Sequence, residues 1–171
     1  MSAFERQRLV EPAPGAAAIQ RGDQARTLRR IGAVLGVGVA GTLDEVLFHQ
    51  LLQWHNFYVH TTERWRIVSD GLFHLFTSLL LFAGALMLWR ARERVASFRD
   101  ARALMAGTLL GAGGFNLFDG IVNHKLLQLH PVREGVANIL VYDLVWNLVA
   151  AAVAAVGWVL WRGVRADLPS A

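Results

Sequence analysis

The sequence predicts an all-α integral membrane protein, a four-helix bundle made of two duplicated helical hairpins in parallel orientation. Three observations carry that reading. Of 171 residues, 54% are hydrophobic and only 18% charged, with a mean hydropathy of +0.37; soluble domains run nearer a quarter charged. Four apolar stretches each exceed the roughly 20 residues an α-helix needs to cross the hydrocarbon core. One polar motif also recurs in both halves. The length fits a single domain. With no cysteine, disulfides, thiolate metal sites and Cys nucleophiles are excluded. The net charge of +4 and pI near 10.6 do not indicate nucleic acid, because the basic residues follow a membrane pattern.

Residues 1–30 hold six arginines and the prolines Pro12 and Pro14, with no apolar run before a cleavage site. They read as a basic cytoplasmic tail, partly helical near the membrane, with no signal peptide. The spans follow as Ile31–Trp54, Val68–Trp89, Ala103–Leu129 and Val136–Trp161, and residues 163–171 form a second tail. The tails and the middle connection carry 13 of the 17 basic residues. The connections His55–Ile67 and His130–Gly135 carry only Arg64, Arg66 and Arg133, with Lys125 at the outer end of the third span. The positive-inside rule then places both termini in the cytoplasm and the two short connections outside. A soluble bundle would need a wet face that these spans lack.

The halves, about residues 31–90 and 103–162, repeat. Asp44–His55 and Asp119–His130 both read D-x4-H-x-L-L-Q-x-H, at a spacing of 75 residues. Asp70-Gly-Leu-Phe-His74 aligns with Asp143-Leu-Val-Trp-Asn147, and Leu88-Trp89-Arg90 with Leu160-Trp161-Arg162. Two spans per half imply a pseudo-two-fold axis along the membrane normal. Gly32-x3-Gly36 and Gly107-x3-Gly111 are small-residue patterns that let helix backbones approach. Trp54, Trp65, Trp89, Trp158 and Trp161 read as interfacial anchors.

The strings FDGIVNHKLLQLH, DGLFH and YDLVWN resemble a bacterial family of four-span membrane proteins catalogued as a domain of unknown function. The likeness covers about residues 31–162 and departs at Glu45, where the family has glycine, as the second repeat does at Gly120. The resemblance implies a bacterial inner membrane as environment and respiratory oxidase assembly proteins as partners; it names no reaction.

Carboxylates inside a bilayer cost about 2.5–3.5 kcal/mol each even on the lenient insertion scale. Yet Asp44, Glu45, Asp70, Asp119 and Asp143 all fall within the spans or at their outer part. His49, His74, His124 and Asn147 form one layer in the outward half, bracketed by Asp44 and Asp119 below and by Asp70 and Asp143 above. Asp44 and His49 are five apart, about 140° around a straight α-helix. Either each Asp faces a neighbouring helix or a π-bulge brings i and i+5 together, a distortion common at functional sites.

The layer reads as a metal site in which His49, His74 and His124 converge on one ion. Asp44, Asp70, Asp119 and Asp143 serve as further ligands or as groups that orient the imidazoles. Glu45, Asn147, His55 and His130 are additional candidates, although His55 and His130, like His60, are expected to be solvated at the interface. Imidazole with carboxylate suits Zn, Fe or Cu(II). Soft Cu(I) handling is weakened because Met1, Met87 and Met105 all lie near the cytoplasmic face. The implied function is a metalloenzyme or a factor in metal handling, including copper, or in oxidase assembly. The alternatives are a b-type haem protein with His49 and His124 as axial ligands, a proton or ion pathway, and a structural subunit whose polar layer is interhelical hydrogen bonding. No P-loop, HExxH or nucleophile elbow is present, and the sequence leaves open whether any reaction is catalysed.

Overall fold

The computed structural model describes residues 14–167, so Arg6, Arg8 and Pro12 lie outside the described residues. Its regular structure is all helical, with no strand among those residues. Helix α1 covers Pro14–Asp44 and runs on as a π-helix, Glu45–Leu51. Helix α2 covers Glu63–Arg90 and leads through a 3₁₀ turn, Arg92–Arg94, to α3, Phe98–Phe118. Helix α3 also runs on as a π-helix, Asp119–Leu126, before α4, Ile139–Ala166. The Ser97 hydroxyl starts α3 by accepting from the Asp100 N–H and donating to the Asp100 carboxylate, which satisfies one otherwise orphaned helix-start amide.

Three segments are long and apolar enough to cross a membrane: Gly15–Leu51, Glu63–Arg90 and Ile139–Ala166. The fourth, α3, falls short because Gly107, Gly111, Gly113, Gly114 and Asn116 dilute it. Its place in the fold accounts for this. Helices α1 and α3 pack on each other at the centre, α2 flanks α1, and α4 flanks α3. A helix covered on two sides meets less lipid and can use its surface for close packing.

Glycine makes the central contact. A Cβ on Gly32 or Gly36 would strike the carbonyl oxygen of Leu104 or Thr108, and one on Gly107 or Gly111 would strike that of Arg29 or Ala33. The outer contacts follow the same rule: Gly84 faces Leu35 and Gly157 faces Leu110, while Gly38 and Gly113 meet the backbone at Leu81 and Ala154.

Helix α1 extends back to Pro14, and Ala25 and Leu28 pack in a core cluster with Ala103, Ala106, Trp161 and Val164. Trp161 is therefore no interfacial anchor; it is only 5% exposed, with the Arg29 guanidinium 4.5 Å above its ring. Trp65, Trp89 and Trp158 are exposed.

The short connections lie over each other at the end of the bundle where the π-helices stop. The Val59 N–H donates to the Leu129 carbonyl at 3.1 Å and the Glu134 N–H to that of Trp54 at 2.8 Å. Arg66 pairs with Glu134 at 2.9 Å. Together these contacts roof the polar layer.

Candidate metal centre

The D-x4-H spacing adopts the second of its two alternatives. Hydrogen bonding in a π-helix runs from i to i+5, so Asp44 and His49, and likewise Asp119 and His124, stand one above the other on one face. Each π-helix then closes in the same way. The Leu52 and Leu127 N–H groups bond back five residues, to Leu47 and Val122, and the Trp54 and Leu129 N–H groups bond back six, to Phe48 and Asn123. Gln53 and Gln128 supply the reversal with positive φ of 52° and 50°. The left-handed conformation is uncommon for a residue with a side chain, and it turns the chain so that the histidine two residues on folds over the π-helix end.

His55 and His130 are thus not solvated boundary residues. They are 3% and 2% exposed, and their rings stack at 4.5 Å with an interplanar angle of 12°. His49 lies 4.5 Å from His55, and His124 lies 4.7 Å from His130, ring centre to ring centre. Four imidazoles form one buried chain across the two halves. Burial, reinforced by the His130 and His49 rings, pulls the His55 imidazole down to about 2. Burial also pulls His130 down to about 4, against the opposing influence of Asp119. Both rings are neutral at pH 7, the form in which imidazole binds metals.

Ligand-type atoms converge in three groups, each within 4.8 Å: Asp44, His49 and His55; Asp119, His124 and His130; and Glu45, His49 and Asp70. The first two are equivalent triads of two imidazoles and one carboxylate. Their contacts have the spacing of neighbouring ligands but not the alignment of hydrogen bonds. Asp119 Oδ2 lies 2.9 Å from His124 Nε2 and Asp44 Oδ2 lies 3.5 Å from His49 Nε2. Even so, Asp119 Oδ2, His124 Nε2, His49 Nε2, His55 Nε2 and His130 Nε2 are all buried without a hydrogen-bond partner. Buried polar atoms are normally paired, and each orphan costs about 1–3 kcal/mol. Such edge separations suit an ion with metal–ligand bonds of about 2.0–2.2 Å.

In the first triad, hydrogen bonds on the far side of the rings aim the lone pairs. A carboxylate and a carbonyl only accept, so His49 Nδ1–H donates to Asp70 Oδ1 at 3.1 Å and His55 Nδ1–H donates to the Val132 carbonyl at 2.7 Å. Each leaves Nε2 free on the triad side, the arrangement that fixes the tautomer of metal-ligating histidines. Asp70 is itself held by the Asn56 side chain and the Phe57 N–H, both at 2.7 Å.

The remaining candidates stand apart. His74, Asp143 and Asn147 belong to none of the three groups found among the described residues. The Asp143 carboxylate pairs with the Lys125 ammonium, and the Asn147 amide donates to the Asp143 carbonyl at 2.8 Å. Asn147 also packs on Gly120, where a Cβ would meet its side chain at 2.7 Å. At the position aligned with Gly120, Glu45 instead reaches His49 Nδ1 at 2.9 Å. Near the layer, Tyr142 accepts from Arg133 at 2.9 Å, and the Asn116 backbone carbonyl accepts from the Trp146 indole at 3.0 Å.

The residues that the sequence undervalued are His55 and His130. The signal was present in the second histidine of D-x4-H-x-L-L-Q-x-H, repeated at the same offset. What hid it was the left-handed glutamine, since a helix simply continued would carry that histidine out of the layer.

Against known families, the description predicted membrane protein (DUF2243) matches residues 31–164. No curated protein and no solved structure matches the chain.

Proposed function

Since the chain belongs to the predicted membrane protein family DUF2243, we propose that it is a membrane metalloprotein whose two Asp-His-His triads each hold one divalent transition-metal ion. One observation carries the reading: buried, unpartnered ligand atoms in both triads, those of His49 and His55 oriented by hydrogen bonds on the far side of their rings. Three protein ligands per ion leave positions for water or substrate, as in catalytic zinc sites and the two-histidine-one-carboxylate iron sites. Interhelical glue would have paired these atoms with each other.

The haem alternative is less well supported. The His55 and His130 rings crowd against His49 and His124, where a macrocycle would need a slot. The apolar groove of about 710 Å³ between α1 and α4 is lined by no histidine. Elemental analysis of protein purified without chelator or a His tag should find two transition-metal ions per chain and no Soret band. A metal-free preparation, or haem in place of metal, overturns the reading.

The fold joins this reading as a duplicated, parallel pair of hairpins. The reciprocal glycine contacts support it: Gly32 on Leu104 answers Gly107 on Arg29, and Gly36 on Thr108 answers Gly111 on Ala33. In this topology α3 crosses with the other three helices, both termini are cytoplasmic and the centre lies in the outward half. A reporter fused after Ala171 should be active only in the cytoplasm; one active only in the periplasm reverses the orientation. Within a cell, the metal reading joined to the oxidase assembly partners that the family resemblance implies makes the protein a holder or deliverer of metal for respiratory oxidase assembly. Co-purification with oxidase assembly proteins checks that role.

A further inference from the structure

We propose that the polar chamber in front of Glu45 is the inlet of the metal centre, where Glu45, Asp70 and His49 Nδ1 form an outer site for a divalent cation on its way to the Asp44 triad. The inference rests on the metal reading above. The chamber, about 590 Å³, is walled by Glu45, His49, Glu63, Arg66, Asp70 and Glu134. Four carboxylates face a single guanidinium, and that one is already engaged by Glu134. Converging like charge raises the local concentration of counter-ions.

An acidic wall alone would say little, but its inner end carries an unsatisfied ligand. The Glu45 side chain is 0% exposed, and its Oε2 is buried without a hydrogen-bond partner, 2.9 Å from His49 Nδ1. The Gln50 amide donates to the other oxygen at 3.0 Å and holds the carboxylate in place. Carboxylate oxygens beside an imidazole nitrogen are ligands for a zinc-like divalent ion.

His49 joins the two sites because its nitrogens face opposite ways. Nδ1 looks towards Glu45 and Asp70, and Nε2 towards Asp44. An ion on Nδ1 requires the ring proton on Nε2. When the ion moves to Nε2 the proton passes to Nδ1, where Asp70 accepts it, so one ion and one proton exchange sides.

The other half lacks these features. The positions aligned with Glu45 and Gln50 are Gly120 and Lys125, and the lysine ammonium pairs with Asp143. There the lysine already neutralises the carboxylate, whereas the unmatched acidic groups gather at the chamber in front of Glu45, which places the inlet on that side.

The test uses the full chain in detergent, stripped with chelator and mixed rapidly with Zn²⁺ against a zinc-responsive dye, with final content read by elemental analysis. Glu45→Gln should slow uptake at least tenfold while the final content stays that of the wild type. Raising the salt should slow wild-type uptake, since charge at the chamber mouth is screened over about 10 Å at 0.1 M. The rim double variant Glu63→Gln/Glu134→Gln, which leaves the buried groups intact, should slow uptake severalfold and flatten that salt dependence. Wild-type uptake rates in both variants overturn the inlet, as does a lower final content in Glu45→Gln, which would make Glu45 a ligand of the inner ions. A wild type that binds no zinc overturns the metal reading instead.

Discussion

Replacing Asp119 or His124 with alanine is expected to halve the bound metal, from two ions per chain to one, and the double variant Asp44→Ala/Asp119→Ala should bind none. Each triad offers three ligands within 4.8 Å, so the loss of one leaves too few donors to hold an ion against water. The sites are not independent. The His55 and His130 rings stack at 4.5 Å, and groups in contact couple by about 0.5–3 kcal/mol. The surviving ion should therefore bind more weakly than in the wild type.

Stability should follow occupancy. A ligand at a thousand times its Kd stabilises the folded state by about 4.1 kcal/mol, and its removal also leaves the triad atoms unpaired again. Chelator should lower the melting temperature of the wild type clearly, and that of Asp44→Ala/Asp119→Ala hardly at all. His74→Ala should keep both ions, because His74 stands outside the clusters. Full metal content in Asp119→Ala and His124→Ala would refute the assignment of the second triad.

Gly36→Ala and Gly111→Ala are expected to be among the most damaging substitutions away from the metal site. In either, the new Cβ points into a backbone carbonyl oxygen of the opposing central helix, Thr108 or Ala33. Backbone cannot rotate aside as a side chain can, so α1 and α3 must separate along their whole contact. Overpacking costs about 1–3 kcal/mol or more, and both substitutions should reach the top of that range. Each triad draws its ligands from one half of the chain, so separation should lower stability while the metal content stays near that of the wild type. Gly71→Ala is the control, because a Cβ there meets nothing within 4 Å. Thermal unfolding in detergent reads all three. A wild-type melting temperature for Gly36→Ala would mean that the central helices are not in backbone contact.

The sequence by itself determined the class of protein, the existence of four helices and the presence of carboxylates and histidines inside apolar runs. Composition and run length are one-dimensional properties, and a carboxylate in an apolar run stands out without any structure. It also reduced the D-x4-H problem to two alternatives, because the angle between residues five apart follows from helix geometry alone.

Tertiary structure decided the rest. Whether Asp44 meets His49 depends on the hydrogen-bond register of the helix end. An extra residue per turn is worth its cost only where the partners it aligns are present. His55 and His130 entered the layer through left-handed backbone at Gln53 and Gln128, residues whose type does not announce that conformation. His74 matched the layer in depth, but depth fixes only one coordinate; the azimuth of α2 is set by its packing on Leu35, Gly38 and Gly41 of α1. Ligand sets are three-dimensional neighbourhoods. A periodic sequence specifies the height of each side chain along its helix, while its partners across the bundle are chosen by how the helices turn against one another.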